Sequence, residues 1–73
     1  MFKVGDNVMI RPDSKFYGMG HSNNPANVVG VVRLIDESGF FIPTVYVDWP
    51  SGDNSYRISD LIFAEELKIE DFV

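Results

Sequence analysis

One histidine, no cysteine and eleven carboxylates are what this chain offers for metal ligation and for proton transfer near neutral pH. His21 stands beside Ser22, Asn23 and Asn24. A bound ion needs more ligands than one imidazole, so a polar loop residue is expected there and no metal site. Glu65/Glu66 and Glu70/Asp71 are paired carboxylates. General acid–base work requires a shaped pocket, which a domain of 73 residues can hardly supply, so a solvated face is the expectation. Gly18-x-Gly20 is too short a motif to cradle a phosphate, and no Ser-His-Asp arrangement is visible. The chain is therefore read as a non-enzyme without a cofactor. Its distinctive chemistry is aromatic: Phe16, Tyr17 and Met19 together, then Phe40 and Phe41, then Trp49, then Tyr56 beside Arg57. Aromatic residues, Met and Arg are the types enriched where proteins meet, so these eight are the candidate partner-binding residues.

Each of them also has a purely structural reading. Trp49 could anchor a core with its indole N–H on a carbonyl, or form one wall of a shallow aromatic groove. Tyr56 could bond its hydroxyl to loop backbone while Arg57 braces the turn, facing the solvent or a carboxylate such as Asp60. Phe16, Tyr17 and Met19 fold inward as a lid on an open end of the domain, or stay outside as a docking patch. Phe40, Phe41 and Ile42 are adjacent apolar residues, and alternation cannot bury all three on one face. At least one is expected to be exposed or packed against the tail, which marks a contact surface or a site of self-association.

The elements that would carry these side chains are strands. Val45, Val47 and Trp49 alternate with polar or aromatic neighbours and share one face of an extended segment; Thr44 to Trp49 is expected as a strand. Pro50, Gly52 and Asp53 then reverse the chain, with Gly52 supplying freedom at positive φ, and residues 54–58 return. Val8 and Ile10 share a face at the end of a first strand, which Pro12 closes. Residues 28–35 form a β-branched second strand whose internal Gly30 marks a bulge or a close backbone approach. Residues 36–39 turn the chain, Ser59-Asp60-Leu61 makes a 3₁₀ turn, and 62 to 64 or 65 is a fifth short strand. Residues 11–27 form a loop too long to be idle in so small a domain, and its Phe16, Tyr17 and Met19 are too apolar for a linker. The tail from Leu67 to Val73 fits neither a strand nor a helix decisively. Five strands, a long loop after the first and a 3₁₀ turn before the last predict an all-β, SH3-like barrel over residues 1–66, a fold that curls to limit exposed edges.

Composition narrows the partners. The net charge is −5. Asp60, Glu65, Glu66, Glu70 and Asp71 against Lys68 place −4 of it on residues 60–73. Lys3, Arg11, Lys15, Arg33 and Arg57 are scattered, whereas phosphate binding needs clustered cations; nucleic acid is disfavoured as a partner. No apolar run resembles a secretion signal or reaches the roughly 20 residues that cross a bilayer. A cytoplasmic protein without a membrane partner, monomeric or weakly self-associating, is expected.

In order along the chain stand Val4-Gly5-Asp6-x-Val8, Arg11-Pro12-Asp13, Gly30-x-Val32, Val47-Asp48-Trp49-x-x-Gly52, Asn54-x-Tyr56-Arg57 and Asp60-Leu61. In this order they resemble the Mind bomb/HERC2 domain, an SH3-like repeat of some large ubiquitin ligases that contributes to recognising protein partners. The resemblance spans Val4 to Leu61 and implies an SH3-like fold with a non-catalytic, protein-contacting role. It does not imply ubiquitin transfer. Where that family's long loop usually carries Trp, this chain has Phe16 and Tyr17. A single barrel of this size is similar in kind to small accessory proteins of bacteria and their phages. The expected function is an adaptor or small inhibitor that binds a protein. Two alternatives are an acidic decoy for another protein's nucleic-acid site, and a weak nucleic-acid binder on which Arg11, Lys15, Arg33 and Arg57 converge.

Overall fold

The computed structural model of the chain describes residues 2–19, 23–38 and 42–66. Five strands lie in one antiparallel sheet: β1 (Asn7–Ile10), β2 (Gly30–Asp36), β3 (Thr44–Trp49), β4 (Gly52–Arg57) and β5 (Leu61–Phe63). Their spatial order is β4-β3-β2-β1-β5. A 3₁₀ turn, Ile58–Asp60, joins β4 to β5, and a second, Ala64–Glu66, follows β5. No α-helix occurs among the described residues, so the chain is all-β as its patterning predicts. The ladders run from β4 to β5 without pairing those two ends to each other among the described residues.

With no helix among the described residues to cover it, the apolar face of the sheet packs on itself. Val8 and Ile10 of β1, Val32 of β2, Val45, Val47 and Trp49 of β3, Tyr56 of β4 and Leu61 of β5 form one buried cluster with Phe2. Burying aliphatic side chains of this size stabilises by about 1.5–3 kcal/mol each, which is the main resource of a chain without disulfides. The alternation read from residues 45–49 holds: Val45 and Val47 are fully buried and Trp49 is 5% exposed, while Tyr46 and Asp48 face outward.

Several boundaries move for local reasons. β2 begins at Gly30 rather than Val28, because Gly30 pairs with Val8 at one end of the β1 ladder and Asn27 just before it is left-handed, at φ 58°. The hairpin is tighter than the expected Pro50–Asp53 turn: Trp49 pairs directly with Gly52, leaving Pro50 and Ser51 as the loop. Among the described residues positive φ is confined to Gly5, Gly18 and Asn27, so the role assigned to Gly52 is corrected. It begins β4 in ordinary backbone. The 3₁₀ turn also sits one residue early. The Leu61 N–H closes onto the Ile58 carbonyl, and Leu61 already pairs with Ile10.

Gly30 is the close approach anticipated from its place inside a strand. A Cβ there would lie 2.4 Å from Trp49 Cε3 and 2.7 Å from Val47 Cγ1. The irregularity in the ladder lies further on, between Val32 and Leu34, where Arg33 is the extra residue of a bulge.

Candidate functional site

Tyr56 is the centre of the most connected polar cluster on the chain. β4 turns it inward opposite Val45, and β3 brings Trp49 against it, ring centroids 5.8 Å apart and close to edge-on. The indole N–H of Trp49 donates to the Tyr56 hydroxyl at 3.0 Å. That corrects the expected carbonyl partner, for a reason of position: the inner face of β4 offers a phenol where the indole points. The hydroxyl in turn lies 2.6 Å from the Asn23 carbonyl and 2.8 Å from Asn24 Oδ1. It has a single proton to donate between them.

Asn54, also on β4, completes the clamp. Its Nδ2 is 3.3 Å from the Asn23 carbonyl and 3.1 Å from Asn24 Oδ1, and its Oδ1 accepts the Ser55 backbone N–H at 2.9 Å. Two side chains of the hairpin, Tyr56 and Asn54, therefore hold the far end of the long loop, with Trp49 behind Tyr56. Tyr56 titrates above its ordinary value because burial penalises the phenolate, an effect opposed by the hydrogen bonds from Trp49 and Asn54.

The near end of the loop is held separately. Ser14 donates its hydroxyl to Asp60 Oδ1 at 3.0 Å and accepts the Phe16 N–H at 3.1 Å. The Arg11 N–H reaches the Asp60 carbonyl at 2.8 Å. Between these two anchors the loop folds back: Phe16 meets Tyr56 edge-on at 5.9 Å, and both Phe16 and Tyr17 pack against the core. Met19 instead points out, 55% exposed.

An open groove of about 580 Å³ lies between the loop and the junction of β4 with the first 3₁₀ turn, lined by the half-buried Phe16 with the buried Tyr56 behind it and by Ser55 and Ser59. Lys15, Arg57, Thr44 and Asp60 complete its rim. The Lys15 ammonium sits 5.2 Å from the Phe16 ring centre. Of the two expected directions for Arg57 the side chain takes the solvent-facing one, while Asp60 accepts the Ser14 hydroxyl. Among the described residues Arg57 forms no ion pair.

Of the eight residues picked from sequence, the groove unites Phe16, Tyr56 and Arg57. Trp49 is buried and touches the groove only through Tyr56. Tyr17 is a core-facing lid residue, and Met19 stands apart. Phe40 and Phe41 lie outside the described residues, as does His21; Ile42 beside them is 51% exposed, as the adjacency of three apolar residues demands. The four cations proposed for nucleic acid do not converge. Arg11 pairs with Asp13, and Arg33 pairs with Asp48 and Asp53 on the outer face.

Asn54 stands in the Asn54-x-Tyr56-Arg57 motif, but Ser14, Asn23 and Asn24 are not legible as site residues. Their only signal is polarity in a turn-rich stretch, and what selects them is the hairpin brought alongside. Among the described residues no group of three His, Cys, Asp or Glu side chains could share a metal ion, and no helix is long and apolar enough to cross a membrane. Compared with known proteins, the chain matches no family model, no curated protein and no solved structure.

Proposed function

We propose that this chain is a non-catalytic protein-interaction module, an adaptor or small inhibitor, built as an SH3-like barrel. The barrel reading draws on the five-stranded antiparallel order, the 3₁₀ turn before the last strand and a core contributed by every strand. It also draws on the motif order shared with the ubiquitin-ligase repeat. The observation that carries the function is the groove in which the half-buried Phe16 ring, backed by the buried Tyr56, lies beside Arg57 and Lys15. Aromatic and Arg side chains around a concave, solvent-open floor are the recurring anchors of partner recognition. The two clamps at Ser14–Asp60 and at Tyr56–Asn54–Asn24 pre-order the loop that makes one wall. Less entropy is then lost when a partner docks.

The partner is isolated with the chain as bait, and the bound protein is titrated against single variants. Arg57→Gln and Phe16→Leu should each weaken binding by about tenfold or more, as residues central to an interface do. Leu34→Ser, on the outer face and 50% exposed, should not. Binding that ignores the groove variants and follows the outer-face variant would move the site to the other side of the sheet.

A further inference from the structure

The charge on the groove runs against the charge of the chain. The chain as a whole carries −5, yet the rim of this groove holds two cations, Lys15 and Arg57, and one carboxylate, Asp60. Asp60 already receives the Ser14 hydroxyl, whereas neither Lys15 nor Arg57 is engaged in an ion pair among the described residues. Both cations are exposed and line the groove together with the half-buried Phe16. The remaining described Arg side chains contrast with them: Arg11 is taken by Asp13, and Arg33 by two carboxylates.

We infer that the groove receives an acidic, extended peptide segment, with one apolar side chain lying against Phe16 and flanking carboxylates reaching Lys15 and Arg57. The inference rests on the reading of this groove as a protein-binding surface and adds the chemistry of the partner. A guanidinium binds a carboxylate through two parallel N–H donors, and an ammonium serves as a mobile point charge. Thr44 adds a hydroxyl at the rim for the ligand backbone. A basic segment is disfavoured because it would face two cations at the point of closest approach. A nucleic acid is disfavoured for a different reason. Its affinity comes from neutralising many phosphates, and here two cations sit on a protein that repels polyanions overall.

The test uses the full chain and a displayed library of random short peptides. Panning on the unaltered protein should enrich peptides with Asp or Glu on both sides of a large apolar residue. Synthesised with a fluorophore, the best of these should lose about tenfold or more in affinity when its acids become Asn and Gln, and likewise against Arg57→Gln or Lys15→Gln. Raising salt from about 50 to 300 mM should weaken it several-fold, and Lys15→Glu combined with Arg57→Glu should shift the selected set towards basic peptides. Circular dichroism on each variant checks that the exposed substitutions leave the fold intact. Selected peptides without acidic enrichment, but still lost in Arg57→Gln, would overturn the acidic specificity and leave the groove as an interaction site. No selection at all, or selection indifferent to every groove variant, would overturn the groove itself and with it the underlying reading. Tighter binding of a short single-stranded oligothymidylate than of the acidic peptide would reassign the cations to nucleic acid.

Discussion

The hydroxyl of Tyr56 illustrates how much a single oxygen can organise. It accepts from the Trp49 indole and faces two acceptors in the long loop, so core and loop share one polar contact. Tyr56→Phe keeps the ring and its packing but leaves the buried Trp49 N–H without its acceptor. Removing one partner of a buried hydrogen bond costs about 1–3 kcal/mol, and chemical denaturation should show a loss in that range. The pH dependence has a definite sign. Burial raises the Tyr56 pKa above its ordinary 10.0, so the folded state holds the phenolic proton longer than the unfolded one. Its contribution to stability is present below pH 10.0 and is lost as pH rises beyond that value. Denaturation midpoints followed from neutral to alkaline pH should fall more gently for Tyr56→Phe than for the unaltered chain. Asp13 and Asp36 act in the opposite window. Both titrate below their ordinary value, Asp13 chiefly through the Arg11 hydrogen bond and Asp36 through those of Ser38. What they contribute is present above 3.8 and lost as pH falls below it.

Between strands, register decides which charges meet. Asp48 of β3 and Asp53 of β4 are direct cross-strand partners, and like charges in that relation are destabilising. Arg33 of the neighbouring β2 resolves the conflict, with Nε 3.0 Å from Asp48 and Nη2 3.1 Å from Asp53. Its position at the ladder irregularity between Val32 and Leu34 supplies the residue that reaches across. An exposed pair is ordinarily worth about 0–1 kcal/mol, and Arg33→Ala should cost roughly that upper figure because it also uncovers the two facing carboxylates. Adding Asp53→Asn to Arg33→Ala should restore part of the loss, and a denaturation cycle over the four proteins reads the difference. A full loss that persists in the double variant would assign the effect to Arg33 packing on Tyr46, whose ring centre is 5.9 Å away. At the sheet's end β4 meets another demand of its position. Asn54 occupies the Ser55 N–H with its own side chain, which withdraws a donor from an edge where another strand could add.

For the molecule as a whole, one apolar cluster joins all five strands, and the long loop is tied to it at both ends. Trp49 belongs to that cluster and is the chain's only indole. Its fluorescence and the far-ultraviolet circular dichroism should therefore lose their native signals in one coincident transition with denaturant, as a single cooperative unit requires. Separated transitions would mean that the hairpin and the β1–β5 ladder unfold independently.

Much of this architecture is written in short-range pattern. Val45, Val47 and Trp49 announce their shared face because side chains on an extended backbone alternate. Gly30 signals a close approach because only a missing Cβ permits one. The all-β class, the hairpin and the 3₁₀ turn are local matters, and local spacing predicts them to within two residues. The partners of Trp49, Tyr56 and Asp60 have no such signature, since a hydroxyl or carboxylate can satisfy any donor that folding delivers to it. The hairpin register brings the indole to the phenol across only seven residues, whereas only the tertiary structure gives Asp60 to Ser14 and sets Lys15 and Arg57 on one rim. Those last choices depend on distances between residues more than forty positions apart, which nothing short of tertiary packing determines.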